Sequence, residues 1–393
     1  MSAQRACIGD RVTFDASSLN ALFDALAKRG CKIIGPTARD GAVVCGELTS
    51  ANQLPQGMGD NQDSARYRLM RRNDGAYFGF NLGPHSIKKL LLPPQRRLWS
   101  ARRKQQGFAI EPEAPEYPKY AFLGVRPCEI AALMLLDNVL AKGEFKDPAY
   151  VRARKDAVII ALNCSQAGGT CFCASMNTGP KATSGFDLAL TEVIDSDRHY
   201  FVAEIGSNRG AEIASEMQTQ LASPAEIAAA EKVSAATVRQ MGRALDIADI
   251  RGLLTRNFEH PRWAAAAERC LTCGNCTMVC PTCFCTTVAD ITDLTGQRAE
   301  RRQRWDSCFT MDFTYIHGGS IRASTRARYR QMVTHKLSSW VDQFGASGCV
   351  GCGRCITWCP AAIDITEEVR AIRESERALS ANVSPKESKY ANA

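Results

Sequence analysis

Two runs of cysteine govern what this chain can fold into. Cys270, Cys273, Cys276 and Cys280 precede Pro281, and Cys349, Cys352, Cys355 and Cys359 precede Pro360. Both runs read C-x2-C-x2-C-x3-C-P. That spacing closes three thiolates over one face of a cubane iron-sulfur cluster, while the fourth, turned away by its proline, ligates the other cluster. The fold must therefore bring the two runs face to face. The spacing predicts Cys270, Cys273, Cys276 and Cys359 around one [4Fe-4S] cluster, and Cys349, Cys352, Cys355 and Cys280 around a second. Gly274, Gly351 and Gly353 are read as positions where backbone N–H groups approach the cluster sulfides. A four-thiolate zinc site needs neither the third short gap nor the proline. A radical-enzyme triad of Cys276, Cys280 and Cys283 would dismantle a complete ferredoxin motif.

Eighteen cysteines in 393 residues, with 45% hydrophobic content, describe a chain that builds real cores and uses its thiols as ligands or redox groups. No apolar run approaches the roughly 18 residues of a membrane span. The N-terminal residues carry neither an apolar signal core nor a twin arginine, so a cytoplasmic location with reduced thiols is expected. The net charge of +8 is modest. Its densest part, the arginine zone from Arg298 to Arg330, reads as a solvated helix face or a surface for an acidic protein partner rather than for nucleic acid.

The pattern along the chain predicts an α+β protein. Residues 1–255 form an N-terminal mixed α/β domain. A mostly helical, two-cluster ferredoxin-like domain follows over 256–374, with a long, mostly helical insert between the cluster motifs. Residues 375–393 form a flexible polar tail. In the first domain, residues 31–45 read as a hairpin. Buried strands are expected at 120–125 and 157–163, with a helix between them. Cys128 and Cys164 come just after these strands, where open α/β sheets collect ligands. In the insert, Tyr329, Met332, Val333, Leu337, Trp340, Val341 and Phe344 recur at helical spacing and Gly345 stops the helix.

Seven further thiols stand out. Cys128, Cys164, Cys171 and Cys173 are able to hold a third [4Fe-4S] cluster or to serve as structural thiols; their spacing matches no standard motif. Cys283, Cys285 and Cys308 either pack beside the clusters, form an alternative third site or carry persulfide chemistry. Cys7, Cys31, Cys45 and His85 read as structural. There is no G-x-G-x-x-G after a strand and no G-x-x-x-x-G-K-[ST], so the usual fingerprints of dinucleotide and nucleoside triphosphate sites are missing. No catalytic constellation is evident, which leaves an electron wire.

Five segments carry a resemblance: GVRPCEIAAL at 124–133, NCSQAGGTCFCASM at 163–176, RCLTCGNCTMVCPTCFCTTV at 269–288, WDSCF at 305–309 and CVGCGRCITWCPAAIDITEE at 349–368. Together they resemble the iron-sulfur β subunit of NAD(P)-linked nickel-iron hydrogenases, the sulfhydrogenases. The related A subunit of anaerobic sulfite reductase shares the dicluster pattern. The resemblance covers about residues 75–370. It implies a subunit passing electrons between a flavin subunit that handles NAD(P) and the small and large nickel-iron subunits. In the other branch, a sulfite reductase catalytic subunit takes their place. A sulfur-reducing subunit using its own thiols is the alternative of a different kind.

Overall fold

The computed structural model describes residues 6–113, 117–195 and 197–382. Strand β1 (Arg11–Asp15) leads through helix α1 (Asn20–Lys28) to the hairpin β2 (Lys32–Arg39) and β3 (Ala42–Glu47). A second hairpin pairs β4 (Met58–Asp63) with β5 (Arg66–Arg71). Helix α2 (Lys88–Leu91) then precedes a third, β6 (Gln95–Arg103) and β7 (Phe108–Pro112). Next come β8 (Tyr120–Val125), α3 (Pro127–Leu140), α4 (Pro148–Lys155) and β9 (Val158–Leu162). The antiparallel pair β10 (Leu188–Ile194) and β11 (His199–Ile205), α5 (Asn208–Ser215), β12 (Gln220–Leu221) and α6 (Pro224–Arg239) complete this half.

Eight of these strands make one sheet in the order β12-β1-β11-β10-β9-β8-β2-β3. β8 runs parallel to β2 and β9, and β9 parallel to β10. The near-continuous apolar sequences of β8 and β9 require cover on both faces, and they receive it. Ala121, Leu123, Val158 and Ile160 join the core under α1 and α5, whereas Phe122, Ile159 and Ala161 join the one under α3 and α4. At the end of β8, Gly124 takes φ 77° where the register with β9 shifts. A side chain there would meet Pro36 at 3.3 Å. This bulge turns the chain into Arg126 and Pro127, which opens α3 and puts Cys128 in its first turn.

The second half contains α7 (Ile250–Arg256), α8 (Arg262–Arg269), the one-turn α9 (Asn275–Met278) and the hairpin β13 (Thr286–Thr292) and β14 (Arg298–Trp305). Helix α10 (Thr325–Thr334) continues through a π-helical turn, His335–Ser339, into α11 (Trp340–Phe344), and Gly345 ends it at φ 70°. The one-turn α12 (Arg354–Thr357) and α13 (Ile365–Asn382) follow. Tyr329, Met332, Val333, Leu337 and Trp340 are all buried, as their spacing requires.

Three expectations are corrected. The insert between the motifs is not mostly helical: its first part is the β13–β14 hairpin, and Arg298, Arg301, Arg302 and Arg304 lie on a strand. Cross-strand and neighbouring acids hold these long side chains along the sheet, Arg298 and Arg302 on Glu300 and Arg301 on Asp290. The tail, expected to be flexible from 375, begins as the last turns of α13; residues 383–393 lie outside the described residues. β14 also pairs with β6, so the sheet β13-β14-β6-β7 crosses the boundary expected near residue 255. Among the described residues, no helix is long and apolar enough to cross a membrane.

Candidate iron-sulfur sites

The two cysteine runs fold on one template. After the first cysteine of each, the third residue of the run turns left-handed, Thr272 at φ 51° and Gly351 at 64°; Gly274 and Gly353 then both stand at 72°. β-Branched residues rarely adopt that region, so Thr272 is held there by the loop around it. The matching backbone N–H of each loop points at its own first thiol, Thr272 N at 3.4 Å from Cys270 Sγ and Gly351 N at 3.5 Å from Cys349 Sγ. Helices α9 and α12 follow at equivalent positions and pack on each other.

The glycines serve a further purpose. A Cβ on Gly351 would lie 2.7 Å from the backbone of Cys173, and one on Gly353 would overlap Thr170. They make room for residues 170–173, whose Phe172 N donates to Gly351 O at 2.9 Å.

Cys359 lines a hollow with Cys270, Cys273 and Cys276, walled by Phe309, Tyr329 and Met332. Ile363 N approaches the Cys359 thiol at 3.4 Å. Cys355 also reaches this hollow. On the other side, burial raises the pKa of Cys355 well above that of an ordinary thiol, and Cys349, Cys352 and Cys280 add to it. Burial likewise pushes Cys349 up to about 12. Burial and crowding disfavour the thiolate at these positions in the protein alone. Among the described residues no three metal-ligating side chains close on a single-ion site.

Cys280 is the exception. A hydrogen bond from Cys283, together with Lys336, Thr282 and Lys88, outweighs burial and lowers its pKa well below the usual thiol value. Lys336 Nζ donates to Cys280 Sγ at 3.1 Å and to Thr282 Oγ1 at 3.0 Å from inside the π-helical turn. Lys88, on α2, donates to the carbonyls of Cys280 and Cys283, both at 2.8 Å, and lies 4.0 Å above the Trp305 ring. Sequence reasoning missed both lysines. Lys336 had a visible signal, a lone cation on the apolar stripe between Val333 and Trp340.

The remaining thiols fall into two places. Cys283 sits against Cys280, and Cys285 feels Lys336, Asp306 and Lys88. Burial, with Cys285 nearby, pushes Cys308 up to about 12. Cys128, Cys164, Cys171 and Cys173 line one space with Cys352. His85 has a partner, its Nδ1 2.9 Å from Lys89 Nζ.

Residues 269–363, which include both loops, the hairpin and the α10–α11 helix, match the family model of the 4Fe-4S dicluster domain. Sulfhydrogenase 2 subunit beta of Pyrococcus furiosus is 31% identical over 293 residues, 73% of this chain and 84% of that protein. The chain belongs to the sulfhydrogenase β-subunit family. As a member it is an iron-sulfur electron-transfer subunit. The matched residues include the two paired loops and the cysteines that line the first hollow.

Proposed function

We propose that this chain relays single electrons between a flavin subunit that handles NAD(P) and a nickel-iron hydrogenase core in the cytoplasm. In this reading Cys270, Cys273, Cys276 and Cys359 hold one [4Fe-4S] cluster, and Cys349, Cys352, Cys355 and Cys280 the other. The observation that carries it is Cys359 lining the hollow of the opposite triplet. Bound there, cubane clusters supply one-electron storage at potentials set by charge, hydrogen bonds and exposure. The protein's part is to fix that environment. The N–H groups of Thr272, Gly351 and Ile363 face sulfur, and the Lys336 ammonium lies beside Cys280, so negative charge is stabilised at both loops. Phe309, Tyr329, Met332 and Ile365 give the first hollow an apolar wall.

Cluster spectroscopy on single variants tests the reading. Cys359→Ala should damage the cluster of the Cys270 triplet, and Cys280→Ala that of the Cys349 triplet. Damage confined to each cysteine's own run would reverse the assignment. Purified as its native complex, the chain should co-elute with a flavoprotein and nickel-iron subunits. A sulfite reductase catalytic subunit in their place would replace the hydrogenase reading with the other branch.

A further inference from the structure

We propose that Cys128, Cys164, Cys171 and Cys173 bind a third [4Fe-4S] cluster, against the second cysteine loop. The dicluster match does not reach these residues, and the proposal extends the relay reading above by one site.

Topology delivers the first two thiols. β8 and β9 are parallel neighbours, and Cys128 and Cys164 follow their C-terminal ends. The loop carrying the other two is fastened at several points: Cys164 N to Pro180 O at 3.0 Å, Cys171 N to Gly168 O at 3.0 Å, and Thr178 Oγ1 to Val350 O at 2.7 Å. All four thiols line one space of about 470 Å³, open mouth included.

Charge provides the second, independent observation. Arg126 and Arg354 line the same space and are 4% and 5% exposed. A guanidinium does not shed its proton, so both are buried cations. Arg126 gives one nitrogen to the carbonyls of Phe78 and Phe80, and its Nε has no partner. Among the described residues it forms no ion pair. Arg354 reaches Glu129 at 3.3 Å through Nη2, while its Nη1 is unpartnered. Glu129 answers Arg354 and the buried Asp60 feels the charge of Arg126, yet one guanidinium nitrogen of each arginine is left without a hydrogen-bond partner. Four thiolates around a cubane core would set a negative group beside those nitrogens, because that assembly carries net negative charge. Cys352, assigned by its spacing to the second cluster, lines the space too, so the third site adjoins the second. An electron passed between them oxidises one by one unit, reduces the other by one unit and moves no proton.

The full-length chain, prepared anaerobically, should contain about 12 iron atoms, since each cubane holds four. Replacing Cys171 and Cys173 together by Ser should remove about four and leave the signals of the two ferredoxin-type clusters in place. Arg126→Leu should shift one cluster signal to a more negative midpoint potential, and Arg126→Lys should restore much of it. About eight iron atoms in the unaltered chain, with both ferredoxin-type signals present, would overturn the third site and leave the relay standing. So would a double variant that keeps all its iron. Iron near zero would sink the relay reading as well.

Discussion

Lys336 is the residue that best separates cluster tuning from structure. Its ammonium is buried, which lowers its pKa, but the thiols of Cys280 and Cys283 outweigh that and raise it well above the usual lysine value. Lys336→Met retains length and apolar fit but removes the positive charge beside Cys280 Sγ. A hydrogen bond to a charged group contributes about 1.5–3 kcal/mol, which for one electron is about 65–130 mV. The midpoint potential of the cluster beside Cys280 should fall by that order in a redox titration, with iron content unchanged. Loss of iron without any shift in potential would mean that Lys336 only holds the loop. Sequence marks Lys336 as a lone cation on an apolar stripe but not its partner, which lies 56 residues away and is joined to it only by the fold. The eight motif cysteines were legible, since their chemistry is written in local spacing. Arg126 and Arg354 were not, because nothing local says that a guanidinium will be buried short of partners.

Among the elements, α8 leads straight into Cys270, so its seating sets the first loop. Trp263 is the largest fully buried side chain there; its Nε1 donates to Asn257 O at 2.9 Å and its ring meets Tyr329 on α10. Trp263→Ala should cost about 3–5 kcal/mol of stability, read from the denaturant midpoint of the iron-loaded chain. An unchanged midpoint would show that α8 does not anchor the loop. Elements with strong patterns were readable from sequence: β8 and β9 by continuous apolar residues, the α10–α11 helix by its stripe. The β13–β14 hairpin was not. Arg298–Trp305 carries five charged residues in eight, and its strand character comes from pairing with β6, nearly two hundred residues earlier in the chain.

At the scale of the whole molecule, that pairing governs how the protein can be divided. A fragment of residues 1–255 keeps β6 and β7 but loses β14, and it exposes the thiols and glycine-fitted backbone of residues 170–173 once the second loop is gone. Such a fragment should aggregate or show no cooperative unfolding transition, whereas the full chain should melt in one step. A soluble, cooperatively folding fragment would show that the two halves are independent.

The shared sheet also imposes an order on biosynthesis. Translation releases β6 and β7 long before β14, and residues 170–173 long before Gly351 and Gly353. Throughout that interval the nascent chain has an open strand edge and a cysteine-bearing loop with nothing to rest on. The N-terminal half cannot reach its final form until the ribosome has passed the last cysteine motif. The loop of residues 170–173 therefore reaches its final setting only in the finished polypeptide, and its thiols stay uncovered until then.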